Sequence, residues 1–212
     1  MNNKLLLFGA GGHCRSVIDS INKNDFSEIA IIDIAEMVGK NIFSIPVIGT
    51  ENDVNNFFKQ GFNKAFIAFG SIGNPENRIK IYDKLKNIGF EFPLIADRTS
   101  IISNNDVTIN EGTFIGKGVI VNTGAHIGSF SIINSGAIID HDCKIGKFVH
   151  IATGVSLSGG VIIGDNTHIG TGSSVIQSIT IGKNTIIGAG STVVSDIADN
   201  VTAFGVPCKE RL

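Results

Sequence analysis

Tryptophan is absent from this sequence and tyrosine occurs once, which removes the aromatic platform on which nucleic-acid-binding surfaces stack bases. Cysteine is also sparse. Cys14, Cys143 and Cys208 are far apart and form no C-x-x-C pair, so neither a disulfide framework nor a four-cysteine zinc site fits, and a reducing compartment does. Charge of one sign is lacking as well: the formal net charge is −2 and the lysines are scattered. No basic field exists to draw nucleic acid or an anionic membrane surface. No run approaches the ~20 apolar residues of a membrane span, and the apolar stretch Leu5 to Phe8 is too short for the core of a signal peptide. A cytoplasmic protein without membrane insertion is the expectation. What abounds is apolar material, 42% of 212 residues against 17% charged, enough for a core and unlike a disordered chain. The length suits one large domain or two small ones.

A repeat divides the chain. Stepping six residues at a time from Ile109, through Ile115, Val121 and Ile127 to Val193, fifteen successive positions are Ile, Leu or Val. Two residues before these aliphatics stand small or β-branched residues such as Thr113, Ala125, Ser131, Cys143, Thr167 and Ser191. Alternate positions on one short strand share a face, so both sets point inward. The residue after the aliphatic is often glycine, as at Gly116, Gly128, Gly146 and Gly164, and these glycines are expected to supply the positive φ of sharp corners. Six residues are too few for a hairpin and do not match the helical period. They fit one side of a triangular coil, so three hexapeptides complete an 18-residue turn, and about five coils stack into a parallel β-helix. Each inward aliphatic contributes roughly 2 kcal/mol of burial.

Residues 1–100 follow another pattern, with a boundary near Asp97 to Ser103. Lys4 to Phe8 predicts a strand, Gly9-Ala10-Gly11-Gly12-His13 a turn and Cys14 to Asn22 a helix. Glu28 to Ile32 predicts a strand ending at Asp33, Val54 to Phe58 a short helix and Lys64 to Phe69 a buried strand. Pro75 to Asn87 predicts a helix with proline in its first turn, and Phe92 to Ala96 a last strand. Alternation of this kind implies a small open parallel sheet. Residues 195–212 follow the last coil, and Gly205-Val206-Pro207 breaks its pattern.

Two places could carry chemistry. F-G-A-G-G-H joins a strand to a helix, the setting in which backbone N–H groups cradle a phosphate. The third glycine of a dinucleotide fingerprint would fall on Cys14, so a single nucleotide or nucleotide-sugar fits better than a dinucleotide. Asp33 ends the second strand, where a carboxylate accepts from a ribose or base. Phe69-Gly70-Ser71-Ile72-Gly73 is expected to face the same crevice. The alternative is that the glycines only let a strand turn into a helix. The second place is Asp140-His141-Asp142. An imidazole is suited to taking a proton near neutrality, and an adjacent carboxylate raises its basicity and fixes its tautomer. By phase His141 projects outward, where a solvated polar surface is the competing reading. His150 and His168 also point outward, one coil apart, as a polar stack or a ligand contact, and His126 reads as ordinary surface. No G-x-S-x-G occurs and Cys143 is in the inward phase, so direct transfer is simpler than a covalent intermediate.

The N-terminal F-G-A-G-G-H, Asp33, I-A-F-G…N-P-E-N-R (Ile67 to Arg78), I-I-D-H-D-C-K-I-G (Ile138 to Gly146), F-V-H-I (Phe148 to Ile151) and G-V-P (Gly205 to Pro207) together resemble the bacterial sugar O- and N-acyltransferases of the sialic-acid and bacillosamine type. The resemblance implies a Rossmann-like domain over residues 1–100 and a left-handed parallel β-helix over 101–212, although ordinary crossovers favour the right-handed sense. It implies a homotrimer that uses acetyl-CoA, bound between adjacent β-helices, and no metal; the histidine pair five apart that holds zinc in hexapeptide-repeat carbonic anhydrases does not occur. By position, Gly11, Gly12, His13, Asp33 and Gly70 would contact a UDP-amino sugar. His141 would be the general base, with Asp142 in place of a glutamate that supports it. His150 would meet the acetyl-CoA thioester, and Thr171 and Ala189 would line the coenzyme groove. The expected activity is N-acetylation of a UDP-4-amino-4,6-dideoxy sugar in surface glycan synthesis. O-acetylation of sialic acid or a related sugar is one alternative, and a non-catalytic nucleotide-sugar scaffold another.

Overall fold

The computed structural model describes residues 3–211, which form two compact units: 3–70 with 76–93, and 71–75 with 94–211. The division therefore falls at residues 93 and 94, and Ser71–Pro75 belongs with the second unit.

The first unit is a five-stranded sheet. In chain order its elements are β1 (Lys4–Phe8), α1 (Gly12–Ser20), β2 (Glu28–Ile32), β3 (Asn41–Ile42), β4 (Ile45–Gly49), α2 (Val54–Lys59), β5 (Phe62–Ile67) and α3 (Glu76–Ile88). The strand order is β3-β4-β2-β1-β5, parallel except where β3 meets β4. The central strand β1 is a continuous apolar run, and Leu5, Leu6 and Leu7 are fully buried, as a strand covered on both faces requires. Arg78 on α3 is also buried, and burial pushes its guanidinium down to about 10. The β3–β4 hairpin adds an antiparallel edge that the strand–helix alternation does not predict.

The second unit is the β-helix. Two-residue strands pair in parallel with strands 18 residues on: Ile127 with Ile145, Ile133 with Ile151, and Ile139 with Leu157. Three stacked sheets result. One carries His150 and His168, a second Ile138 and Ser156, and a third His126 and Lys144; they are called here the first, second and third faces in the order the chain meets them. The repeated aliphatics and their small partners are buried at 0–8% exposure from Ile115 to Val193. The inward hydroxyls are satisfied: Thr113 Oγ1 donates to Gly128 O (3.0 Å), Ser131 Oγ to Gly146 O (2.9 Å) and Thr167 Oγ1 to Gly182 O (2.7 Å). Cys143 fills the same position, its Sγ donating to Ser158 O at 3.3 Å.

The corners differ from the expectation. Positive φ falls three residues before each aliphatic, at Gly124, Phe130, Asp142, Phe148, Gly160 and Asn166 among others. The glycines just after the aliphatic have no positive φ. They are glycines because the next coil passes too close: a Cβ on Gly164 would stand 2.7 Å from Gly182 C, and one on Gly128 2.5 Å from Gly146 C. The expected strand Phe92 to Ala96 shrinks to Ile95–Ala96, which pairs with Phe114–Ile115 in the first-face sheet. Beyond the last coil, Thr202–Gly205 adds to that sheet and turns at Gly205-Val206-Pro207 into antiparallel Cys208–Glu210.

Candidate active site

In the first unit the carboxyl ends of β1 and β2 open into a cavity of about 830 Å³. Gly9, Gly11, Asp33, Thr50, Asn52 and Lys80 are among the residues that line it. Such a crevice beside the strand ends is where open α/β sheets bind ligands. The glycines of the loop separate by role. Gly9 has φ +103 and must be glycine for the turn. Gly11 has φ −82, and an added Cβ on Gly11 or Gly12 would meet nothing within 4 Å. Neither position requires glycine for its φ or for clearance, and Gly11 is the N-cap of α1, a place that glycine favours. The Asp33 carboxylate accepts from Ala10 N and, at 2.6 Å, from Ile34 N. It braces the loop and keeps lone pairs for a further donor. Cys14 is buried, and burial first, then Asp33, push its thiol up to about 12.

Gly12, His13 and Gly70 do not line the cavity. Of the segment Phe69 to Gly73 only Phe69 does. The reason is that Ser71–Pro75 packs with the coils, where Ser71 O accepts from His150 Nδ1 at 3.0 Å. Thr50, Asn52 and Lys80 were not singled out in the sequence. Lys80 carries a usable signal, since it stands on α3 three residues after Asn77 of N-P-E-N-R, which also lines the cavity, and so shares its face.

On the β-helix, His141 and Asp142 occupy the corner between the second and third faces. His141 Nδ1 is 2.8 Å from Asp142 Oδ2, and 57% of the imidazole side chain is exposed. Asp142 has φ +60, a conformation that aspartate tolerates better than most residues. Asp140 secures the corner: its Oδ1 accepts from His141 N and from Asn122 Nδ2, each at 2.8 Å. Those bonds hold the Asp140 carboxyl below the usual range, the Asn122 bond most. The hydrogen bond to Asp142, then the charge of Asp140, raise the His141 imidazole above its ordinary value. The ring lies over Gly159 of the next coil, and Asp142 over Gly124 of the previous one.

The other predicted residues lie elsewhere on the coils. His150 is half-buried on the first face, its ring 4.9 Å from that of His168 in an edge-on arrangement. His168 points out of the prism yet is only 8% exposed, and burial, then His150, push it down to about 4. It is therefore neutral near pH 7. Thr171 and Ala189 are exposed one coil apart on the corner between the first and second faces. A single chain thus sets His141 and the Thr171–Ala189 pair on opposite edges of the second face. His126 is exposed on the third. Among the described residues no three His, Cys, Asp or Glu side chains gather as a metal ion would require, and no helix is long and apolar enough to cross a membrane.

Triangular coils stacked from six-residue steps define a hexapeptide-repeat protein. Residues 142–177 and 160–195 match the bacterial transferase hexapeptide (six repeats) family, and residues 4–85 match the PglD N-terminal domain. No curated protein matches the sequence. Among solved structures, a histidine-to-asparagine variant of perosamine N-acetyltransferase from Caulobacter crescentus, in complex with CoA and GDP-perosamine, is 34% identical. That likeness covers 98% of this chain and 96% of the other, with a TM-score of 0.91. The acetyltransferase domain of PglB from Neisseria gonorrhoeae, in complex with acetyl coenzyme A, is 32% identical over 100% of both chains, with a TM-score of 0.90. WeeI from Acinetobacter baumannii is 25% identical over 98% and 99%, with a TM-score of 0.86. The chain belongs to the bacterial sugar acyltransferases of the hexapeptide-repeat superfamily, and its coils wind left-handed.

Proposed function

We propose that this chain transfers the acetyl group of acetyl-CoA to the 4-amino group of a UDP-linked 4-amino-4,6-dideoxy sugar, in bacterial surface glycan synthesis and as a homotrimer. One observation carries the reading: the 2.8 Å contact of His141 Nδ1 with Asp142 on an open corner. The carboxylate keeps Nδ1 as a donor, so Nε2, the ring atom nearest Gly159, is left as the basic atom. The sugar nitrogen attacks the thioester carbonyl carbon, a C–N bond forms, and Nε2 takes the proton that nitrogen sheds. The tetrahedral adduct collapses, the C–S bond breaks, and the imidazolium returns its proton to the departing CoA sulfur. Asp142 steadies the imidazolium between the two proton transfers.

The nucleotide is assigned to the first-unit cavity, with Gly11 and Asp33 in its lining and Gly12, His13 and Gly70 as further contacts. His150 meets the thioester end of acetyl-CoA, and Thr171 and Ala189 line its groove. Because one chain holds His141 and the Thr171–Ala189 pair on different edges, a groove joining them needs a second copy. This supports a homotrimer. Support for the donor and for an amino-sugar acceptor comes from the similar enzymes crystallised with CoA or acetyl-CoA and with GDP-perosamine.

The test is turnover with acetyl-CoA on a UDP-4-amino-4,6-dideoxy sugar, GDP-perosamine, and free and CMP-linked sialic acid. N-acetylation of the UDP-amino sugar is expected, and His141→Ala is expected to lower kcat by roughly 10²–10⁴-fold with assembly unchanged. Near-wild-type turnover in that variant removes the mechanism. Acetylation confined to GDP-perosamine or sialic acid replaces the acceptor, and binding without turnover replaces enzyme by sensor.

A further inference from the structure

Gly159 has no structural reason to be glycine apart from His141. Its φ lies outside the left-handed region, unlike that of Gly160 beside it at +69. Its place in the repeat, two residues after the inward aliphatic Leu157, carries a side chain at every other corner from Glu111 to Ala189, including Thr123, Lys147, Thr153 and Asp165. The fold thus accepts side chains here. The glycines required by close coil stacking would drive a Cβ into backbone, as Gly164 does. A Cβ on Gly159 would instead meet the His141 ring: the three nearest atoms all belong to it, with Cε1 at 2.5 Å and Cδ2 at 3.1 Å. Real Cβ atoms do not approach so closely, so the ring would have to leave.

We propose that Gly159 is a positioning residue: its bare Cα is the seat on which the His141 imidazole lies while Nδ1 holds Asp142. The proposal rests on the reading of His141 as the base. Rotation off the seat would cost the contact with Asp142 and re-aim Nε2. No charged side chain from the adjoining coils faces the imidazole at this corner. Asn122, Thr123 and Gly124 stand on one side and Ser158, Gly159 and Gly160 on the other, so Asp140 and Asp142 are the charges that set its proton affinity.

The experiment compares wild type, Gly159→Ala, His141→Ala and the double variant in the full-length assembly, using acetyl-CoA and the nucleotide 4-amino sugar that turns over. For Gly159→Ala, kcat is expected to fall on the order of 10–100-fold, with KM for acetyl-CoA within about twofold. By NMR titration, the His141 imidazole pKa should move down as Asp142 is lost, and the double variant should be no slower than His141→Ala. An unmoved imidazole pKa, or a further loss of rate in the double variant, overturns the seat. A raised KM for acetyl-CoA with the imidazole unmoved does so too, because the glycine would then be serving the ligand. Should Gly159→Ala prove unstable, the double variant decides: recovered stability places the clash on the ring, and continued instability places it on the backbone and overturns the proposal. Wild-type turnover in His141→Ala defeats the base reading separately, while the titration still reads the seat.

Discussion

At the residue scale, the proposed chemistry turns on one charge beside one ring. The raised imidazole pKa puts the acid limb of kcat/KM above the pH at which a free imidazole would place it, because the base acts only when neutral. Asp142→Asn preserves size and removes the negative charge. The imidazole pKa should fall and the acid limb move to lower pH, and the weaker base should slow turnover on the order of tenfold. A pH profile of kcat/KM for the two proteins checks this, and a limb that stays in place would leave Asp142 with no part in tuning the base. His141 and Asp142 were legible from phase and residue type, since outward aspartate and histidine side by side are chemically conspicuous. Gly159 was not, because a glycine among 26 gains meaning only when the 18-residue register sets it over a particular ring. Asp33 was legible as a strand-end carboxylate, but its bond to Ala10 N of the glycine loop required coordinates.

At the element scale, the six-residue period carried nearly all of the β-helix, because inward aliphatics leave a trace that no helix or hairpin imitates. The corner rule was less legible. Two turn positions compete for glycine, one for left-handed backbone and one for clearance, and the left-handed position also accepts Asp142, Asn166 and even Phe130, which blurs it. The β3–β4 hairpin escaped notice because Asn41–Ile42 is only two residues long and Pro46 interrupts the second strand. The ladder itself makes a firm prediction. Ile151 is fully buried between Ile133 and Ile169 in the stack, and neighbouring coils cannot close a gap without losing their own pairing. Ile151→Ala should therefore cost about 2–5 kcal/mol, measured by chemical denaturation of the assembly. A loss below about 1 kcal/mol would mean that the coils relax as independent layers rather than as one packed column.

At the scale of the whole molecule, the candidate catalytic parts are not all on one edge of a chain. His141 stands on one edge of the second face and the Thr171–Ala189 pair on the other, so identical copies packed in a ring could bring one chain's histidine to its neighbour's pair. That is a heterologous contact, which closes when the rotation closes. The second face itself is apolar at one end: Ile101 and Ile138 are 65% and 38% exposed and flank Ile120 in register. An exposed aliphatic column points to a neighbour that covers it. Ile138→Glu should place a charge in that contact and leave the buried ladder untouched. Sedimentation velocity is expected to show monomers in place of the proposed trimer. Stabilisation of the protein by acetyl-CoA should vanish, and stabilisation by the nucleotide sugar should persist, since each ligand raises the apparent Tm only while its own site exists. A monomeric variant that still responds to acetyl-CoA would put the whole coenzyme groove on a single chain and remove the argument for a shared site.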